Sequence, residues 1–256
     1  MAEHAVSGAW SYDAIAEVYA TDMGRSMPFD DVAFYRDLAA AHAGPVLELG
    51  CGTGRILIEL LAAGVEAFGI DRSLPMLARL CRDAQARGLM PRVAQSDLRA
   101  LGVGGHFGTI LLPYSLVTYL TEPAQASAVL RELRTRLASG GRIVLDAFVP
   151  QPVQGFADFR LDYRRPHADG LLEREKRIAV RADGCNRIER RYRRYAGDGL
   201  LCEEFVTDET IRPYTPADLA ALAGSAGLGV RSWHWDYGTR RDAVGARFAS
   251  LVLAID

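Results

Sequence analysis

Three glycines alternate with other residues directly after an apolar run near position 50. Gly50, Gly52 and Gly54 follow residues 45–49, whose composition predicts a short buried strand. Glycine leaves the backbone bare at the end of such a strand, so a ligand can approach it closely. The spacing therefore predicts a nucleotide-type binding site at the carboxyl edge of a sheet.

The charges around these glycines indicate what kind of ligand they would take. Their spacing is GxGxG followed by Arg55, whereas a site for a pyrophosphate usually has GxGxxG. Glu48 stands two residues before the first glycine, where a carboxylate repels a phosphate and suits an ammonium or a sulfonium. We therefore expect a cofactor that carries positive charge.

Two later carboxylates are expected beside the same ligand. Asp71 ends the second predicted strand and suits ribose hydroxyls, while Asp97 follows the third strand and suits an adenine amino group. Met76, on the helix that Ser73 opens, is a candidate for packing on the adenine face. The alternatives are a solvated or helix-capping role for the two acids and core packing for the methionine.

Strand-length apolar runs alternate with helical patterns through the first 150 residues and predict parallel strands joined by crossover helices. The predicted strands are 45–49, 65–70, 92–95, 108–112 and 142–148, and the predicted helices between them are 55–63, 73–87 and 123–138. Two helical stretches precede them, one from residue 11 onward and one at 30–42. This part of the chain is predicted to be a doubly wound α/β core.

The alternation ends after residue 150. Residues 171–212 hold three extended stretches separated by Asp183-Gly184 and Asp198-Gly199, which are typical hairpin turns and predict a three-stranded antiparallel insertion. A helix at 216–226 and strands at 228–235 and 248–254 complete the predicted fold.

Four motifs, in order and each at a strand end, resemble those of class I S-adenosylmethionine-dependent methyltransferases: "LELGCGTG", "GIDRS", "AQSDL" and "LASGGRIVLDAF". The resemblance implies a Rossmann-like, doubly wound seven-stranded sheet whose last strand is antiparallel. It also implies that S-adenosylmethionine is the cofactor, that S-adenosylhomocysteine is its product, and that the amino acid part lies over residues 50–54. The cofactor-binding residues that it implies are Tyr12, Tyr19, Glu48, Gly50, Cys51, Gly52, Thr53, Gly54, Asp71, Arg72, Met76, Ser96, Asp97, Leu98 and Pro113.

The N-terminal "YDAIAEVYA" and the insertion after the fifth strand look like small-molecule methyltransferases, including enzymes that methylate amino sugars attached to nucleotides. This likeness implies a single methyltransferase domain over 1–256. Its parts would be a helical cap (1–44), a cofactor-binding core (45–150), a β insertion or lid (151–213) and a C-terminal helix with core strands (214–256). Tyr12 and Tyr19 would then face the sulfonium or the carboxylate of the cofactor.

The acceptor of the methyl group is harder to predict. In the methyltransferases that this chain resembles, the segment "LLPYSLVTYL" lines the acceptor pocket, which makes Tyr114 and Tyr119 candidate catalytic residues. His234 is a candidate base and Asp146 a candidate for holding an amine or a hydroxyl, although simple packing explains the tyrosines and the histidine equally well. A histidine often seen near Tyr119 in such enzymes is absent here, so methylation of nitrogen or of oxygen stays open.

Charge and composition restrict the partners. A formal net charge of -2 and a pI near 6.2 supply no general attraction to nucleic acid. "PYS" lacks the acid or amide of DNA adenine methyltransferases, so we expect a small-molecule acceptor. One basic run can grip an anionic substrate or form a solvated face, and it comprises Arg187, Arg190, Arg191, Arg193 and Arg194.

Other features of the sequence predict no membrane segment, no metal site, a cytoplasmic location, and a homodimer formed through the β insertion. Two alternatives to a small-molecule methyltransferase of secondary metabolism stay open. One is a non-catalytic or repurposed S-adenosylmethionine-binding protein. The other is an NAD(P)-dependent oxidoreductase, which requires the glycine spacing to be misleading.

Overall fold

The computed structural model describes residues 11–23 and 29–255 and shows a seven-stranded sheet in the order β10-β11-β5-β4-β1-β2-β3. The strands are β1 Val46–Leu49, β2 Ala67–Asp71, β3 Arg92–Gln95, β4 Phe107–Leu112, β5 Leu137–Phe148, β10 Leu228–Trp235 and β11 Phe248–Ile255. β11 pairs antiparallel with both of its neighbours, while β1 to β5 pair in parallel. The predicted Rossmann-like sheet with an antiparallel last strand is confirmed.

Helices cover both faces of this sheet. They are α3 Asp31–Ala40, α4 Leu57–Ala62, α5 Leu74–Ala86, α6 Pro123–Thr135 and α7 Pro216–Ser225. Apolar side chains of α6 and α7 form one core with β1, β4 and β5, and those of α3, α4 and α5 form a second core on the opposite face. Because both faces are covered, β1 and β4 are buried along their whole length, which explains their continuous apolar sequence.

The boundary between α6 and β5 differs from the prediction. Helix α6 ends at Thr135 and β5 already starts at Leu137, so Gly140 and Gly141 lie inside the strand instead of in the turn before it. A Cβ atom on Gly141 would lie 2.8 Å from the carbonyl oxygen of Phe107. These glycines therefore permit a close approach of β5 to β4.

The insertion has four antiparallel strands, and the predicted number of three is wrong. The strands are β6 Phe156–His167, β7 Gly170–Val180, β8 Asn186–Tyr195 and β9 Leu201–Ile211, and we call them the insertion sheet. β6 was missed because it is an edge strand that buries few side chains and contains Pro166, so its sequence shows no apolar alternation.

The N-terminal segment connects the core to the insertion sheet. Instead of one helix it forms two short ones, α1 Ser11–Ile15 and α2 Tyr19–Met23. Ile15, with Ala16 and Val18 next to it, packs against Met76 of α5 and Leu172 of β7. Within the ranges 11–23 and 29–255, no helix combines the length and apolarity that crossing a bilayer requires.

Candidate functional site

The loop after β1 has a backbone that only glycine adopts readily. Gly50, Gly52 and Gly54 have φ values of 64°, 54° and 87°, in the left-handed region. A Cβ atom on Gly54 would lie 2.7 Å from Leu80, and one on Gly50 would lie 3.0 Å from Leu116. The three glycines thus allow a tight turn that leaves bare backbone at the carboxyl edge of the sheet.

Asp71 fixes this loop to the end of β2. Its Oδ2 accepts the backbone N–H of Gly52 at 2.8 Å, and its Oδ1 accepts that of Ser73 at 2.7 Å. Burial raises the pKa of the carboxyl group, although these backbone hydrogen bonds oppose the shift. Each oxygen retains a lone pair for a further donor.

A first cavity of about 190 Å³ lies over this loop, at the ends of β1, β2 and β4. The predicted residues that line it are Tyr12, Tyr19, Gly50, Gly52, Asp71, Arg72, Ser96, Asp97, Leu98, Pro113, Tyr114 and Tyr119. Elements far apart in sequence therefore bring most of the predicted site together. Insertion-sheet residues at 208–210 complete the wall, and the sequence did not predict them.

Asp97 borders the first cavity within a small ion-pair cluster. Arg99 donates to it from Nε at 2.8 Å, and Arg72 lies 3.8 Å away. The hydrogen bond from Arg99 lowers the pKa of the Asp97 carboxyl group, so this side chain is ionised at neutral pH and can accept a hydrogen bond from a ligand.

Several predicted residues lie outside the first cavity. Glu48 and Cys51 are buried beneath the loop, and Thr53 and Gly54 border a separate groove on its far side. Burial raises the pKa of Glu48 to about 8, and its Oε2 has no hydrogen-bond partner among the described residues.

Met76 is likewise not brought to the first cavity. Its side chain is 1% exposed and packs in a cluster with Ile15, Ala16 and Val18 of the N-terminal segment. Met76 is therefore a packing residue in this structure, as the core-packing interpretation of the sequence predicts.

A second cavity of about 220 Å³ lies behind the first, between the N-terminal segment and the insertion sheet. Five residues line both cavities, namely Tyr12, Tyr19, Tyr114, Tyr119 and Glu209. The two cavities therefore meet at these four tyrosines and one carboxylate, which form a wall common to both.

A hydrogen-bonded chain runs through this wall. The hydroxyls of Tyr12 and Tyr119 lie 2.7 Å apart, Tyr119 donates to Glu209 Oε2 at 3.1 Å, and Arg190 donates to the same oxygen at 2.6 Å. Burial raises the pKa of both tyrosines well above the ordinary value, so both stay neutral. Glu209 was missed because it stands in an alternating polar strand with no motif around it.

Asp22, also absent from the predicted set, holds α2 against the insertion sheet. It is 6% exposed. Its Oδ1 accepts hydrogen bonds from Tyr163 and Arg174, and its Oδ2 accepts one from Tyr192 at 3.4 Å. Its side chain borders the second cavity, so this cluster forms the floor of that cavity as well as a link between elements.

Asp146 does not hold an acceptor, and that expectation is wrong. It is fully buried and borders neither cavity. Its carboxylate accepts the backbone N–H groups of Tyr114 and Ser115 at 3.0 and 2.6 Å and the hydroxyls of Tyr35 and Tyr237. Tyr114 and Ser115 have φ values of 53° and 60°, so Asp146 stabilises the strained turn that presents Tyr114 to the cavities.

His234 is not brought to either cavity. Its ring contacts Phe34 at 5.2 Å between centroids, its Nε2 lies 3.0 Å from Ser232 Oγ, and it borders a shallow groove beside α3. Burial lowers its pKa. Trp233 and Trp235 stack on each other at 5.4 Å, as expected of packing residues.

The lining of the first cavity fits S-adenosylmethionine. Gly50 and Gly52 offer bare backbone, and the carboxylates of Asp71 and Asp97 offer acceptors for ribose and adenine donors. The tyrosine hydroxyls and Glu209 lie where the first cavity meets the second, which suits a positively charged centre. These groups together fit an adenosine derivative with a cationic tail.

Residues 46–141 match the family model described as a methyltransferase domain. The chain is 35% identical over 143 residues to a demethylmenaquinone methyltransferase of Thermus thermophilus, a match that covers 53% of this chain and 63% of that protein. The chain spans less than two thirds of the length of the curated relatives that it matches first.

Solved structures match nearly the whole chain. The CcbJ methyltransferase from Streptomyces caelestis has a TM-score of 0.81 at 24% identity and covers 96% of this chain and 98% of its own. CalS10, an amino pentose methyltransferase from Micromonospora echinaspora, has a TM-score of 0.70 at 23% identity and covers 92% and 96%. The likeness extends over the insertion sheet and shows that the whole fold is shared.

Proposed function

We propose that this chain, whose residues 46–141 match the model of a methyltransferase domain, uses S-adenosylmethionine to methylate a nitrogen atom of a small-molecule amine. The observation that supports this most directly is the pair of cavities that meet at Tyr12, Tyr114, Tyr119 and Glu209. A methyl donor in the first cavity and an acceptor in the second would come into contact where the two cavities meet.

The residues of the first cavity would hold the cofactor. The loop at 50–54 would lie under its amino acid part, Asp71 would accept from the ribose hydroxyls, and Asp97 would accept from the adenine amino group. When bound, S-adenosylmethionine supplies a methyl carbon made electrophilic by the adjacent sulfonium. The enzyme's own contribution is then to place an acceptor in line with that carbon and to exclude water.

The second cavity favours nitrogen as the acceptor atom. It is lined by the carboxylates of Asp22 and Glu209 and by tyrosine hydroxyls, groups that accept N–H hydrogen bonds, while Arg174 and Arg190 pair with the two carboxylates. Two structural neighbours are named as an amino pentose methyltransferase and a sugar N-methyltransferase. An amine on a sugar-sized ring is therefore the first acceptor class to test.

The test is methyl transfer from labelled S-adenosylmethionine to a panel of acceptors. The panel contains amino sugars, free and linked to nucleoside diphosphates, small amino acids, and the matching hydroxy compounds as controls. We expect label in an amine product that is one methylene heavier by mass spectrometry. Cofactor binding by calorimetry without transfer to any member would favour a non-catalytic binding protein, and binding of NADH in its place would favour an oxidoreductase.

The homodimer through the insertion sheet and the cytoplasmic location stay predictions. Light scattering coupled to size-exclusion chromatography checks the first, since a mass near 27.9 kDa would show a monomer in solution.

A further inference from the structure

Glu209 is a buried carboxylate with one oxygen left for a ligand. The residue is 5% exposed and borders both cavities. Its Oε2 accepts from Arg190 and from Tyr119, whereas its Oε1 accepts no hydrogen bond from the described residues. Because Glu209 lines both cavities, an oxygen without a partner there is available to accept from a ligand.

The other polar groups of the wall cannot accept a proton equally well. Burial keeps Tyr12 and Tyr119 in the neutral form, and Asp22 already accepts hydrogen bonds on both oxygens from Tyr163, Arg174 and Tyr192. Among the described residues that border both cavities, Glu209 alone carries a carboxylate.

An amine needs a free lone pair to attack carbon, but most amines are ammonium ions near neutral pH. An ammonium in the second cavity would add a positive charge near Arg190 and Arg174 and near a sulfonium, with the carboxylates of Glu209 and Asp22 in the same lining. This crowding of positive charge favours loss of a proton from the nitrogen.

We propose that Glu209 Oε1 takes this proton and is the general base of the reaction, an inference that rests on the proposed function. The N–H bond breaks, its electron pair stays on nitrogen as the attacking lone pair, and the carboxylate becomes a carboxylic acid. When the product leaves and water re-enters the cavity, the proton passes to solvent.

The neighbours of Glu209 support this role. Arg190 of β8 holds Oε2, Tyr119 from the turn after β4 donates to the same oxygen, and Tyr12 of α1 lies behind Tyr119. Asp22, Arg174 and Tyr192 also line the second cavity. The hydrogen bonds from Arg190 and Tyr119 hold Oε2, which leaves Oε1 without a partner among the described residues. Glu209 is then a catalytic residue and Arg190 a positioning residue.

The experiment compares the pH dependence of kcat/KM for the wild type and Glu209→Gln between pH 6 and 10, with the best primary amine of the acceptor panel as the probe. Glu204→Gln is the matched control, because Glu204 lies on the same strand but pairs with Arg193 at the exposed surface. Affinity for S-adenosylhomocysteine, measured by calorimetry, reports whether the first cavity is intact.

We expect Glu209→Gln to lower kcat/KM by about 10²- to 10³-fold at pH 7. This loss relative to the wild type should become smaller at higher pH, where most of the amine in solution is already unprotonated. Glu209→Asp should keep the wild-type shape of the profile at a reduced rate, and Glu204→Gln should match the wild type.

An equal loss at every pH, or no loss, would overturn the assignment of Glu209 while leaving the proposed function in place. Failure of the wild type to methylate any amine would overturn the proposed function and this inference with it. If Glu209→Gln no longer binds S-adenosylhomocysteine, the pH profile of kcat/KM for Glu209→Asp tests the assignment instead. A general base at this position predicts that this profile keeps the wild-type shape, and a changed shape would overturn the assignment.

Discussion

Single buried carboxylates hold much of this site in place. Asp146 accepts four hydrogen bonds and orders the turn that carries Tyr114 and Ser115. Asp71 accepts from the glycine loop and from the start of α5. In both places a carboxylate at a strand end satisfies backbone N–H groups that would otherwise be unpaired in a buried setting.

Replacing Asp71 tests whether this side chain both holds the glycine loop and accepts hydrogen bonds from the ribose of the cofactor. We expect Asp71→Ala to weaken binding of S-adenosylhomocysteine by about 1 to 3 kcal/mol, because charge-assisted hydrogen bonds to the ribose are lost and Gly52 loses its acceptor. Isothermal titration measures this. Asp37→Ala, which removes an exposed carboxylate on α3, serves as the control, and unchanged affinity in Asp71→Ala would place the ribose elsewhere.

The buried carboxyl group of Glu48 should make the free energy of unfolding depend on pH. Burial raises the folded-state pKa of Glu48 to about 8, well above the ordinary value for a glutamate, so between these two values the folded protein keeps a proton that the unfolded chain has lost. Stability from this group is fully present below the unfolded value and is lost as the pH rises toward 8.

Glu48→Gln, which cannot titrate, should therefore gain stability relative to the wild type by about 1.4 kcal/mol per pH unit between pH 6 and 8, and the difference should be constant above that range. Urea unfolding at several pH values checks this. A difference that does not change with pH would mean that the Glu48 carboxyl group is ionised in the folded protein.

At the scale of elements, the core was the part that the sequence predicted best. Strands β3 and β10 have the predicted bounds, and the other core strands and helices differ by a few residues, because burial on both faces produces long apolar runs. Edge strand β6 and the break between α1 and α2 were missed. Both are positioned by tertiary contacts, such as those of Asp22 with the insertion sheet, and tertiary contacts leave little periodicity in the sequence.

The link between α2 and the insertion sheet can be tested through Asp22. We expect Asp22→Asn to speed amide hydrogen exchange in residues 11–23, because Arg174 loses a buried charge partner and Tyr163 a strong acceptor. Exchange in β1 and β4 should be unchanged. Asp83→Asn, which removes an exposed ion pair on α5, is the control, and equal exchange in both variants would show that the link does not hold the helix.

At the scale of the whole molecule, three parts of the chain form the site, namely the N-terminal segment, the loops of the core and the insertion sheet. The glycine loop and the acids at the ends of β2 and β3 were predictable, since parallel strands end at one edge of a sheet. Glu209 was not, because it reaches Tyr119 across 90 residues of sequence, and only the packing of the insertion sheet on the core brings the two together.

Cofactor binding should accordingly protect separate parts of the chain at once. With S-adenosylhomocysteine present, we expect slower amide exchange in residues 11–23, 50–54 and 207–211, since all three border the first cavity. Hydrogen exchange followed by mass spectrometry measures this. Protection limited to the core would show that the N-terminal segment and the insertion sheet do not close on the cofactor.

The two cavities are lined by different elements, so substitutions can affect them separately during evolution. Core loops form most of the first cavity, whereas the N-terminal segment and strands β7 to β9 form much of the second. Mutations at insertion-sheet positions that line only the second cavity, such as Arg174 and Tyr192, would therefore alter that cavity and leave the lining of the first unchanged. Under the proposed function, variants of this kind would acquire new acceptors while keeping the same methyl donor.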